Sequence, residues 1–213
     1  MTVPTGARLG AILLAGGRGS RVGGAAKPLF VVGGRTLLAE AAAAAATAGA
    51  HPITVVSHLQ DAALPVTWLR EPAPFGGPVA AIVAALDSWP VEADPEWTLL
   101  LACDLPRAVA AVETLCDTLP HLAESDGACL TDEAGRRQWL AAVYRTSALR
   151  RAAGDLPDHG RDLAMRTLVA PLDLRSITAS DDLVHDVDTW DDLVEARRRA
   201  RITITMRSEE EPS

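Results

Sequence analysis

The chain has 213 residues, a formal net charge of −8, and 48% hydrophobic and 23% charged residues. That length supports one domain with a full core, and the composition is that of an ordinary soluble protein. No apolar run reaches transmembrane length, no basic and apolar leader opens the chain, and an acidic balance excludes broad nucleic-acid binding; a cytoplasmic protein with neither membrane nor nucleic-acid partners is expected.

Strand and helix signals alternate along the sequence. Residues 9–15 read as a strand that runs into a glycine-rich loop. A helix follows from about Thr36, contains the alanine run 41–46, and ends near Gly49. Residues 53–57 and 66–70 read as strands. The loop 71–78 then opens a helix that ends near Ser88, with Pro78 suited to its first turn. The almost wholly apolar segment 97–103 reads as a central parallel strand. A helix is expected over 109–122, then a hairpin of 127–131 and 136–144. Short helices are expected at 146–153 and 161–169, a last strand near 183–187 and a last helix over 191–199. The alternation predicts an α/β fold with a mostly parallel sheet, one domain over 1–207 and a disordered acidic tail over 208–213. Cys103, Cys116 and Cys129 match no zinc spacing and are expected to be reduced core residues; the five histidines form no ligand-like cluster.

The loop after the first strand carries most of the functional information. Residues 13–28 read Leu-Leu-Ala-Gly-Gly-Arg-Gly-Ser-Arg-Val-Gly-Gly-Ala-Ala-Lys-Pro. Glycines let backbone N–H groups approach an anion closely, and Arg18, Arg21 and Lys27 can neutralise a polyphosphate. The Walker A pattern fails because Pro28 follows Lys27. The dinucleotide fingerprint fails because position 22 is Val22, and the second strand does not end in a ribose-binding carboxylate. The pattern that fits is Leu-Ala-Gly-Gly-x-x-x-Arg-x-Gly followed closely by Lys-Pro.

Acidic residues supply the complement. Asp104 follows the apolar strand 97–103, at the end where open α/β sheets gather ligands, and a carboxylate facing a phosphate loop suits Mg²⁺. It could instead cap the next helix. Asp186 and Asp188 point the same way on an extended backbone, so both could face the site. Asp188 or Thr189 could alternatively cap the last helix.

Together these pieces resemble the bacterial molybdenum cofactor guanylyltransferases, nucleotidyltransferases with a three-layer α/β/α Rossmann-like fold. The resemblance rests on Leu14-Ala-Gly-Gly17 with Arg21, Gly23 and Lys27; Gly76-Gly-Pro78; Cys103-Asp-Leu-Pro106; Gln138-Trp-Leu-Ala-Ala-Val-Tyr144; and Asp186-Val-Asp-Thr189. It implies transfer of GMP from GTP to metal-loaded molybdopterin, with pyrophosphate leaving. Leu14, Ala15, Gly16, Gly17, Lys27, Ser57, Glu71, Gly77 and Asp104 would then hold the nucleotide. Arg21, Lys27 and Asp104 would be the catalytic set. Asp104 with Asp186 or Asp188 would hold Mg²⁺, for which Mn²⁺ could substitute, and Arg137, Gln138, Arg161 and Arg166 would meet the acceptor. Molybdoenzymes or cofactor chaperones are the implied protein partners. Two departures touch the base: the second strand leads into Ser57-His58 rather than the family's asparagine, and Asp186-x-Asp188-Thr replaces Asn-x-Asn-Thr. CTP, another phosphorylated acceptor, and a non-catalytic nucleotide-binding adaptor are the alternatives.

Overall fold

The structure, a computed structural model, describes residues 7–16, 22–58, 63–70 and 76–210, with side chains as far as 202. Gly17, Arg18, Arg21 and Glu71 lie outside the described residues. The main sheet has seven strands: β1 (Leu9–Leu14), β4 (Ile53–Val56), β5 (Thr67–Leu69), β6 (Trp97–Ala102), β7 (Gly127–Thr131), β8 (Arg137–Arg145) and β9 (Leu174–Thr178). Their spatial order is β5-β4-β1-β6-β8-β7-β9. Neighbours pair in parallel except at β8, which is antiparallel to both β6 and β7. A short β2 (Val31–Val32) and β3 (Arg35–Thr36) form a separate hairpin.

Period-two alternation divides the central strands between two cores. Leu9, Ala11, Leu13, Leu99 and Leu101 face α1 (Leu37–Thr47) and α3 (Ala108–Thr118). Ile12 and Leu100 face α2 (Gly77–Asp87), α4 (Thr146–Gly154) and α5 (Met165–Val169). Strands covered on both faces must be apolar on both, which explains the continuous hydrophobic runs of β1 and β6. The result is helix, sheet, helix in three layers. The alanines of α1 fit this packing, since Ala41, Ala42, Ala44 and Ala45 are all buried. Thr36 caps that helix by accepting from Ala39 N–H at 3.1 Å. Gly49, at φ +79°, ends it: Gly49 N–H reaches Ala46 O and Ala50 N–H reaches Ala45 O, a Schellman arrangement. The three cysteines are free and buried, as expected, and burial pushes the Cys116 thiol up to about 11.

Three expectations need correction, and one element was not anticipated. The last strand is β9 at Leu174–Thr178, while the segment expected as a strand at 183–187 begins inside a short helix, α6 (Asp181–Val184), and continues without strand pairing. β9 is an edge strand with exposed Arg175, Ser176 and Thr178, so its apolar signal is weak. The β2–β3 hairpin escaped notice because two-residue strands have no period to read; its turn is Gly33-Gly34, both at positive φ. The helix expected over 161–169 begins only at Met165, and Asp162 takes a left-handed φ of 55° before it. The last helix, α7, runs from Trp190 to Glu210, three residues into the segment expected as a tail.

Candidate functional site

The site forms where β1, β4 and β6 end. Ala15 N–H donates to Val56 O at 3.1 Å, and Cys103 N–H donates to Leu14 O at 3.0 Å, so the start of the glycine loop is gripped from both sides. Ser57, buried just past β4, donates its hydroxyl to Ala15 O at 3.0 Å. That bond gives Ser57 a definite role as a brace for the loop. Beyond the loop, Val22 is buried, Gly23 and Gly24 turn the chain at positive φ, and Lys27–Leu29 forms a single 3₁₀ turn. Pro28 is buried within that turn, and Phe30 N–H closes it on Lys27 O. This fixes the direction in which Lys27 leaves the backbone.

Lys27 Nζ donates to Asp188 Oδ1, from a position 161 residues away in the chain. The contact exists because residues 186–188 lie against the end of β6. Val187 N–H donates to Asp104 O at 3.0 Å. The Val187 side chain is fully buried with Leu37 and Leu193. In extended backbone, burying Val187 turns its two neighbours the other way. Carboxylate oxygens of Asp104, Asp186 and Asp188 consequently lie within 4.8 Å of one another. The alternation expected for Asp186 and Asp188 therefore holds although no strand forms there.

The capping alternative is also resolved. Thr189 is the residue before α7, and Asp192 N–H donates to its Oγ1 at 3.2 Å. Asp192 Oδ2 in return accepts from Thr189 N–H at 2.7 Å. This reciprocal pair is a capping box, so Thr189 starts the helix. Asp188 keeps its carboxylate on the site.

Three carboxylates this close repel one another. Burial, with Asp186 and Asp188 adding to it and Lys27 opposing it, raises the Asp104 pKa from 3.8 to about 6. Such a set of hard oxygen donors fits a divalent cation, which would offset the repulsion.

The remaining expected residues, Arg166 apart, lie toward the same edge. Gly77 opens α2 at φ +88°, a conformation suited to glycine. Arg137 and Gln138 lie at the start of β8, opposite Thr131 and Leu130 at the end of β7. Arg161 is exposed, and its neighbour Asp162 donates its N–H to Gly76 O at 2.8 Å, which ties this loop to the start of α2. Arg166 is exposed on α5, opposite the buried Met165, Leu168 and Val169, and no described contact brings it to the others.

A model of the MobA-like NTP transferase domain matches residues 11–175, most of the chain. The chain belongs to that family. The transferase is 34% identical over 143 residues to the "Probable molybdenum cofactor guanylyltransferase" of Synechococcus elongatus, covering 63% of this chain and 71% of the relative. It is 32% identical over 142 residues to the molybdenum cofactor guanylyltransferase of Acidiphilium cryptum, covering 60% of this chain and 66% of the relative. Among solved structures, the molybdopterin-guanine dinucleotide biosynthesis protein A of Archaeoglobus fulgidus superposes with TM-score 0.64 at 18% identity, over 90% of this chain and 98% of that one. The 2-C-methyl-D-erythritol 4-phosphate cytidylyltransferase of Thermus thermophilus superposes with TM-score 0.61 at 17% identity, over 89% and 98%. The Rossmann-like nucleotidyltransferase fold and a nucleotidyltransferase activity follow. No helix among the described residues is long and apolar enough to cross a membrane.

The charge arrangement of the transferase predicts a pH signature. A carboxylate whose folded pKa is raised binds its proton more tightly when folded than when unfolded. Its stabilising contribution is complete below pH 3.8, the ordinary value, and is lost as pH rises through about 6. Unfolding measured without divalent metal should show wild type losing stability relative to Asp104→Asn across that window, with the difference level above about pH 7. A difference that is flat with pH would remove the electrostatic account of the cluster.

Two features of this site were not anticipated. The Lys27–Asp188 pair joins distant segments, and nothing local to either residue announces it. The capping box of Thr189 and Asp192 was half visible, since Thr-x-x-Asp carries the spacing of a capping signal.

Proposed function

We propose that the transferase moves GMP from GTP to metal-loaded molybdopterin in the cytoplasm, as one nucleotidyltransferase domain over residues 1–207. The observation that carries this reading is the grouping of Asp104, Asp186, Asp188 and Lys27 beside the start of the glycine loop. The names of the relatives support the choice of base and acceptor.

The acceptor's terminal phosphate has a second pKa near ~6 and is largely dianionic at neutral pH, so no dedicated base is required. One of its oxygens attacks the α-phosphorus of GTP. That new P–O bond forms as the bond from the α-phosphorus to the bridging oxygen breaks, and pyrophosphate carries away the electron pair. The protein's task is to bring two polyanions together and offset their repulsion. Backbone groups of Leu14, Ala15, Gly16 and Gly17 hold the nucleotide, and Gly77 at the start of α2 keeps the backbone close. Lys27 has three donors; one is given to Asp188 and the others can meet triphosphate oxygens. Arg21 joins Lys27 on the leaving pyrophosphate. Asp104, Asp186 and Asp188 would hold Mg²⁺, which when bound neutralises phosphate charge and polarises the phosphoryl oxygens. Glu71 accepts from the guanine N1–H and N2–H₂ edge, while Ser57 braces the start of the glycine loop through Ala15 O. Arg137, Gln138, Arg161 and Arg166 face the acceptor.

Thermal-shift measurements with GTP, CTP, ATP and UTP in the presence of Mg²⁺ test the base. GTP is expected to give the largest rise in Tm. The largest rise with CTP would make this a cytidylyltransferase, and equal rises would end the claim of base selection.

A further inference from the structure

β8 carries an irregularity that the reaction described so far does not use. Its ladder to β6 ends at the Leu101–Ala141 pair. Its ladder to β7 jumps from Ala142 opposite Cys129 to Gln138 opposite Leu130. Residues 139–141 are the extra length of a bulge. From Ala141 onward the strand alternates normally: Ala141 and Val143 enter one core, Ala142 and Tyr144 the other. Inside the bulge alternation breaks, and the adjacent Trp139 and Leu140 both pack against the core beneath α2. Bulges next to active sites re-aim side chains. This one turns Trp139 onto the α2 face. The β6–β8 ladder ends at Leu101–Ala141, two residues from Trp139 on β8 and three from Asp104 on the β6 side. Tyr144 holds the bulge by donating its hydroxyl to Trp139 O at 2.8 Å.

Trp139 Nε1 is buried and has no hydrogen-bond partner among the described residues, while the residue as a whole is only half-buried. Buried indole N–H groups ordinarily find an acceptor. The loop over the same face is also unusual. Asp158, His159 and Asp162 take left-handed φ of 46°, 50° and 55°. Gly160 lies so near Val79 of α2 that a Cβ would come within 2.5 Å of its side chain. Non-glycine residues held in this region cluster at ligand sites, where the surrounding structure sustains the strain.

We propose that Trp139 recognises the ring of the phosphorylated acceptor, its indole N–H donating to a ring carbonyl or ring nitrogen of a planar, fused heterocycle. This deepens the reading above and rests on it. The position selects the acceptor over the nucleotide base. Trp139 follows Arg137 and Gln138 on β8, across β6 and β1 from the β4 and β5 ends that lead to Ser57 and Glu71. The known templates for phosphate loops said nothing of this residue, because its aim depends on the bulge.

The test is Trp139→Phe, which keeps an aromatic ring and removes the N–H. Pyrophosphate release is followed with GTP and metal-loaded molybdopterin. KM for the acceptor is expected to rise about tenfold, with KM for GTP and kcat near wild type and folding stability undiminished. Unchanged acceptor KM in a variant that turns over would overturn the role of Trp139 and leave the guanylyltransferase reading standing. No pyrophosphate release by the wild type would overturn the reading beneath it. A second measurement uses the unaltered protein. Among the five tryptophans, the Trp139 indole N–H resonance, assigned by sequence-specific NMR, is expected to move downfield with metal-free molybdopterin and to stay in place with GTP alone. A Trp139 signal indifferent to molybdopterin would overturn the proposal.

Discussion

Asp104→Asn is expected to abolish turnover, by about a thousandfold or more, and at the same time to make the metal-free protein more stable. The two effects have one cause. Asp104 sits where burial and the neighbouring Asp186 and Asp188 oppose its ionisation, and its pKa rises from 3.8 to about 6. At pH 7.5 the carboxylate is ionised and the folded state bears the repulsion, about 3 kcal/mol for a shift of that size. Asparagine keeps the shape and removes the charge, so Tm at pH 7.5 should rise by about 6–12 °C. The same substitution deletes a hard anionic donor from the cluster and is expected to weaken the divalent-cation binding proposed above. A steady-state assay, a melting curve and a metal titration on one preparation decide the matter. Activity within tenfold of wild type would remove Asp104 from the metal site, and a lowered Tm would refute the origin assigned to its raised pKa.

Lys27→Ala is expected to lose activity on a similar scale, about a hundredfold or more, with the opposite effect on stability. Lys27 pairs with Asp188 and lowers the Asp104 pKa, so it is a counterion of the acidic group. Its removal takes away the cation that the described residues place beside the three carboxylates. The pair is partly exposed, with side-chain exposures of 17% and 32%, so the loss is discounted to about 1–2 kcal/mol. Without Lys27 the Asp104 pKa moves further up. The deficit should therefore be largest above pH 6 and shrink toward pH 5, as the carboxylate protonates. Melting curves at pH 5 and pH 7.5, with and without Mg²⁺, read this directly. A Lys27→Ala protein as stable as wild type at pH 7.5 would show that the pair is incidental. Asp104→Asn and Lys27→Ala thus give proteins that both lose activity but are displaced in Tm in opposite directions, a contrast that general damage to the fold would not produce.

Much of the fold was legible because its signals are local. β1 and β6 are six-residue apolar runs, α1 carries a capping threonine and a terminal glycine, and Pro78 marks the start of α2. β9 and the β2–β3 hairpin were not legible. An edge strand shows one face to solvent, and two-residue strands have no period. The helical reach of α7 to Glu210 was underestimated, because acidic and polar composition resembles a tail as easily as an exposed helix.

The sequence by itself determined the chemistry available: a glycine loop with cations, a carboxylate after a buried strand, and two further acids flanking a valine. Those features lie in short segments whose conformation follows from neighbours a few residues away. Only the tertiary structure decided which of them meet. The bond from Val187 N–H to Asp104 O and the burial of Val187 with Leu37 and Leu193 bring residues 186–188 to β6. That packing gives Lys27 its partner, gives the capping role to Thr189 and leaves Asp188 to the site. The aim of Trp139 depends in the same way on a bulge between β7 and β8. Contacts between segments far apart in the chain arise from packing and register, and no window of sequence contains either.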